Sequence, residues 1–394
     1  VYSESKIELV VIGTHMEGNR ASKGGALAVQ SSAVTVLQSA FVGNSAALQG
    51  GGLFLSKQAE AKLEASKVCD NDAKRGGGIY VRDSTAMMTG LTVCSNFASE
   101  IGGGVGVEFA SVTLVSCNVQ DNSVNRSIDQ NSDGHGGGLF CQGDNELFIE
   151  QSILSGNSAS ESGGGIYSLF CLPVLVDSRM VNNSANSGGG LACLAGSTVS
   201  ASRVTFEGNR GNVFGGAISL LNTQRDAKFL SCLFTKNYAT SGGAIFVKGQ
   251  GMIHAESSTF VQNSAISGGA YYWSHRDSRP EGLENATFMG NSAPHGPIRA
   301  SQAMGLTWSP NPPLPSDYVV ASMEFIERNL TVILVDDYDQ VILVDYDTKI
   351  TVISDSLGVL LVGKSTGTLR GGTFQWHRDL GVLSKPGSRA GFKV

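Results

Sequence analysis

The sequence predicts an all-β chain, a parallel β-helix (solenoid) of about eleven coils with a small C-terminal β-sandwich. Three observations carry this. An asparagine recurs at near-constant spacing, a glycine pair closes almost every unit, and the apolar period between these landmarks is two.

The asparagines are Asn19, Asn44, Asn71, Asn96, Asn122, Asn157, Asn183, Asn209, Asn237, Asn263 and Asn291, separated by 25, 27, 25, 26, 35, 26, 26, 28, 26 and 28 residues. Three residues before each stands an apolar side chain: Met16, Phe41, Val68, Val93, Val119, Leu154, Met180, Phe206, Phe234, Phe260 and Phe288. That column should point inward and stack from coil to coil. The asparagine belongs at a bend, where its amide satisfies backbone groups left over by the turn and bonds its counterparts above and below.

Ten units then carry a glycine pair, as in Gly76-Gly77-Gly78-Ile79, and the eleventh is reduced to His295-Gly296-Pro297-Ile298, as a terminal repeat would be. Glycine supplies the positive φ or the close backbone approach that a tight corner needs. Alternation at Val34 and Val36, Val112 and Leu114, and Leu147 and Ile149 marks short strands. A unit of about 26 residues cannot enclose a core alone, but parallel stacking at about 4.8 Å per coil makes a rod of roughly 50 Å.

Composition agrees. Glycine numbers 51, and charged residues make up 16% while hydrophobic ones reach 41%, so the chain should fold rather than stay disordered. A net charge of -6 without a dense basic cluster argues against nucleic acid or an anionic membrane as partner. The longest apolar runs, Thr331 to Val335 and Val359 to Val362, are far too short for a membrane span. The chain starts at Val1 inside what reads as strand, so a signal peptide or upstream domain is expected to have been removed, and more protein is expected beyond Val394.

The elements Gly215 to Ile218 with Phe234 to Asn237, and Gly242 to Ile245 with Phe260 to Asn263, resemble those of polymorphic outer-membrane proteins and related pectin-lyase-like β-helices. The resemblance covers roughly residues 7 to 299. It implies a surface-displayed rod concerned with adhesion. No membrane barrel is visible in the sequence, so outer-membrane anchoring is not implied.

Organisation follows from where the period holds: a β-helix over 1–304, a proline-rich linker or cap over 305–317 with Pro310, Pro312, Pro313 and Pro315, and a β-sandwich over 318–394. In the last part Asn329 to Val335, Gln340 to Val344, Lys349 to Ile353 and Gly358 to Val362 read as strands. The run Leu330 to Gln340 followed by Asp345 is similar to the opening strands of Ig-like repeats in large surface proteins. The one long step holds a polar loop, Asn125 to His135, the best place for a recognition element.

Chemistry is sparse. Glycoside hydrolysis needs converging carboxylates, and Asp70, Asp121 and Asp177 read as falling at different coil positions. His135, in Gly134-His135-Gly136, has no neighbouring Asp-Asp pair or Arg-x-Lys partner and reads as a loop residue. The acidic group Asp336, Asp337, Asp339, Asp345 and Asp347 has no calcium-loop spacing and reads as a solvated turn. Of Tyr271, Tyr272 and Trp273, alternation turns only Tyr272 outward. No cofactor, metal or catalytic residue is expected. The expected role is an extracellular structural or adhesive rod, a module of a surface protein or filament, whose partners are other copies, neighbouring modules or cell-surface glycans. The alternative is a glycan-active enzyme of the pectin-lyase-like type.

Seven cysteines show no metal spacing. Cys117, Cys232, Cys141 and Cys193 fall on inward positions and are expected as buried thiols. Cys69 and Cys94 stand two before their asparagines on successive coils and are expected to form a disulfide in a secreted protein. Glycosylation acceptors occur at Asn125, Asn182, Asn285 and Asn329, none on a ladder asparagine. Sugar is expected on Asn125 and Asn182 if the source is a eukaryote.

Overall fold

The computed structural model describes the chain except residues 1, 4–7, 126–132, 250, 275–282, 284, 310–328, 344, 346, 355–359, 364–365, 378–379, 384–391 and 394. Most of the polar loop and of the proline-rich stretch therefore lies outside the described residues. All regular elements among the described residues are strands.

Each coil contributes to four parallel sheets, numbered here from the glycine pair onward. Leu27–Gln30 belongs to sheet 1, Ala33–Leu37 to sheet 2, Ala40–Val42 to sheet 3 and Ser45–Gln49 to sheet 4. The sheets hold 12, 10, 11 and 10 strands, and in each the neighbours are successive coils. Such strands are too short to be stable singly, and each gains its hydrogen bonds from the coil before and after.

Register puts the landmark residues in columns. Phe206, Phe234, Phe260 and Phe288 occupy consecutive rungs of sheet 3, and their rings stack with centroids 4.8, 4.6 and 5.1 Å apart. At the sheet 3 to sheet 4 bend, each asparagine from Asn19 to Asn263 donates from its backbone N and its Nδ2 to Oδ1 of the next, at 2.8 to 3.1 Å. From Asn44 onward Nδ2 also reaches back to the carbonyl of an apolar ladder residue, as Asn209 does to Met180 at 2.9 Å. Nine of these asparagines, Asn44 to Asn263, are almost fully buried, so their amides take the place of water for the bend.

The glycine pair has two distinct tasks. Gly76 has φ 61°, the left-handed corner. At Gly77 a side chain would run into backbone atoms of the next coil, at Gly103 and Phe97, so only hydrogen fits.

The chain divides into two compact units, Val1–Ala293 with Pro297–Arg299, and Pro294–Gly296 with Ala300–Val394. The second is antiparallel. Asn329–Val335 is central between Gly305–Ser309 and Thr373–His377, beside two-stranded pairs such as Lys349–Thr351 with Thr366–Thr368. Its core includes Leu330, Val332, Leu369 and Trp376. Residues 305–309, expected in a linker, are a strand of this unit because they complete the sheet edge beside residues 331–335. Gln340 to Val344 is not a strand among the described residues; Val341 makes a single bridge to Val335 across a turn.

Asp336 departs from its expected place in a solvated turn. Its carboxylate is buried and accepts from Tyr338 N at 2.8 Å, Gln340 N at 3.1 Å, Ser301 N at 3.1 Å and His295 Nε2 at 3.1 Å, so a carboxylate at the turn organises the backbone instead of facing water. Asp345 similarly accepts from Thr348 N and Oγ1 and from Asp347 N.

Burial pushes the His295 imidazole below its ordinary value of 6.5, against the pull of Asp336. The unfolded chain therefore takes up the proton first as pH falls, and stability present above that value is lost below it. The second unit should melt at lower temperature at about pH 5 than at about pH 7, and His295→Gln should flatten that dependence, read by differential scanning calorimetry.

Candidate functional site

The most developed polar constellation lies where the end of sheet 4 meets the outward face of sheet 1. Alternation sends the second residue of each sheet 1 strand outward, and Phe54, Tyr80, Gly106, Phe140 and Tyr167 occupy successive rungs. Yet Phe54, Tyr80, Phe140 and Tyr167 are buried. The reason is the glycine corner, which folds the end of sheet 4 back against them. Lys23 Nζ sits 5.1 Å above the Phe54 ring, His135 stacks on Tyr167 at 4.2 Å, and Phe214 meets Phe246 at 4.3 Å.

Over the early coils this corner opens into a groove of about 280 Å³ lined by Lys23, Leu48, Gln49, Lys74, Arg75 and Glu100. Lys23, Gln49 and Arg75 are register partners on adjacent coils. Arg75 Nε donates to Glu100 Oε2 at 2.7 Å, and its Nη1 lies 3.5 Å from Glu108 Oε1. The Glu100 hydrogen bond raises the Arg75 guanidinium above its ordinary value. Glu108 is only 6% exposed. Tyr80 leans over Gly106, where a side chain would strike its ring, and its hydroxyl is buried with no hydrogen-bond partner among the described residues. Burial, reinforced by Glu108, holds that phenol protonated well above its usual range.

Sequence reasoning missed this cluster because Glu100 and Glu108 lie on different sheets and Arg75 on the preceding coil. The acids Asp70, Asp121 and Asp177, expected at three different coil positions, fall at two. Asp70 and Asp121 share one corner column with Ser95 between them, since Cys69, Cys94 and Gln120 are register partners. Asp177 stands at another corner and pairs with Arg203 at 2.6 Å. His135 is no free loop residue: it bridges Ile101 and Ser162, and burial lowers its imidazole, whose Nδ1 has no partner among the described residues. Tyr271 and Trp273 point inward and Tyr272 outward. Among the described residues no group of three or more His, Cys, Asp or Glu could hold a metal.

Asn125, Asn182 and Asn285 are exposed, and Asn182 occupies a positive-φ corner at 53°. Asn329 opens a strand of the second unit, its side chain outside the described residues. Cys69 and Cys94, register partners with Cα atoms 4.5 Å apart, are joined by a disulfide. A second joins Cys141 to Cys171, with Cα atoms 6.0 Å apart, so Cys141 is not the free thiol expected of it. Cys171 follows Phe170, whose φ of 56° turns the chain and brings the sulfur inward, so strand alternation does not locate it. Cys117, Cys193 and Cys232 are free and buried, and burial raises each thiol. Alkylation of denatured, unreduced protein should label three cysteines, and prior reduction should raise that to seven, read by intact mass.

Four parallel sheets closed by stacked coils define a parallel β-helix repeat protein. The family model described as "Right handed beta helix region" matches residues 103–293, the later coils of the first unit. No curated protein and no solved structure matches the chain.

Proposed function

We propose that the chain is an extracellular structural or adhesive rod, a module of a larger surface protein or filament. The observation that supports this best is the unbroken asparagine ladder from Asn19 to Asn291, which ties each coil to the next through buried hydrogen bonds and suits a stiff spacer. The exposed acceptors Asn125, Asn182 and Asn285 sit where sugar would leave the rod without disturbing the ladder. Intact mass of native eukaryotic material before and after N-glycosidase treatment tests the extracellular reading: a loss of mass is expected, centred on Asn125 and Asn182 by peptide mapping. An unchanged mass removes its main support.

A second reading, a glycan-active enzyme, is favoured by the convergence of Glu100 and Glu108 on Arg75 beside a groove. Release of reducing ends or unsaturated products from acidic polysaccharides, abolished in Glu108→Gln, would establish it over the rod.

A further inference from the structure

The early-coil groove carries one unused recognition element. Gln49 is 9% exposed and lines the groove, yet its side-chain amide has no hydrogen bond among the described residues. Below and above it in register stand Lys23 and Arg75, so three donor groups form a row with the rung spacing of about 4.8 Å. Its amide is not sealed from solvent and lines the groove wall, so an acceptor arriving there meets an available donor.

We propose that the row Lys23, Gln49 and Arg75 binds a carboxylate-bearing ligand. The lining residues carry three cations, Lys23, Lys74 and Arg75, against Glu100, and with Glu108 behind Arg75 the corner still keeps one net positive charge, so the groove favours a negative group. Arg75 is steadied by Glu108 at its back and by Glu100 at Nε, and it is still part-exposed to the groove with guanidinium N–H groups to donate. The Phe54 ring holds Lys23 in place through its face. A ligand carboxylate accepts from the Gln49 amide and the Arg75 fork while Lys23 and Lys74 balance its charge. A single carboxylate suits the site better than a phosphate dianion, because Glu100 remains within reach and repels the second charge. Glu100 is thus a built-in competitor for the ligand. A free organic acid and an acidic glycan share this chemistry.

The inference rests on the corner geometry and not on the extracellular reading, whose test is the glycosidase experiment. The test here is titration calorimetry of the full chain at low salt with glucuronate, an oligoglucuronate and the matching neutral gluco-oligosaccharide. The acidic ligands bind and the neutral one does not; binding by the monomer identifies a free acid as sufficient, and binding by the oligomer alone identifies an acidic glycan. Gln49→Glu, which sets a carboxylate in the row, weakens binding at least about tenfold, the worth of one charge-assisted hydrogen bond, with an unchanged melting curve. Glu100→Gln tightens it several-fold, while Glu60→Gln, the same charge change at an exposed strand position of sheet 2, leaves it unaltered. Equal binding of the neutral oligomer, no binding of either acid, or equal responses of the two Glu→Gln variants would overturn the proposal.

Discussion

Asn209→Ala is expected to destabilise the solenoid by at least about 3 kcal/mol, because several buried groups lose partners at once. Asn209 Oδ1 accepts from Asn183 N at 3.1 Å and from Asn183 Nδ2 at 3.0 Å, while its own Nδ2 donates to Met180 O and to Asn237 Oδ1. Truncation leaves the two donors of Asn183 without an acceptor and takes from the Met180 carbonyl its side-chain donor, in a stretch of the column, Asn183 to Asn237, with no measurable exposure. Water cannot enter to replace them unless the coils part. Asn209→Asp fares no better, since a carboxylate has no N–H to give Met180 and places a charge in the ladder. Asn19→Ala, at the exposed end of the same column, costs under about 1 kcal/mol. Urea denaturation followed by circular dichroism, with hydrogen exchange to locate the loss, distinguishes the two. Because stability in stacked repeats is a sum of local and nearest-neighbour terms, protection should fall first in coils flanking the substituted one. A uniform loss along the rod, or equal costs at Asn19 and Asn209, would contradict the ladder as the coil-to-coil tie.

The ladder was legible in the sequence for a physical reason: a column that must repeat in every coil leaves the same residue at the same step. The inward apolar column and the glycine corners were legible likewise. The Arg75 corner was not, since coils differ in length by a few residues and the excess sits in turns, so sequence spacing does not say which acid of one coil reaches which base of its neighbour. Glu100 is the next-to-last residue of a sheet 4 strand and Glu108 ends the following sheet 1 strand, with a glycine corner between them. Cys171 escaped for a related reason, the positive-φ corner at Phe170 that breaks alternation. Asp336 escaped because its partners His295 and Ser301 lie 41 and 35 residues away, beyond any local pattern.

Phe234→Ala is expected to cost about 3 to 5 kcal/mol, the range for truncating a buried aromatic side chain. Phe234 has no exposure and lies between Phe206 and Phe260, its ring nearly parallel to both, with interplanar angles of 3° and 4°. The edge of Phe229 from sheet 2 closes the third side at 5.4 Å, an edge-to-face contact. Removing the central ring of this stack therefore leaves a cavity bounded by three aromatic faces or edges. Closing it requires the coils to approach more nearly than their backbone hydrogen bonds permit, because the rung spacing is held by the ladder of sheet 3 on either side. Phe234→Leu keeps most of the volume and should cost about half as much. Phe288→Ala, on a ring that is part-exposed in the last rung, should cost less than Phe234→Ala by at least about 1.5 kcal/mol. Chemical denaturation of the three variants ranks them, and a cost for Phe288→Ala equal to that for Phe234→Ala would show that enclosure by neighbouring coils is not what the inner phenylalanine contributes.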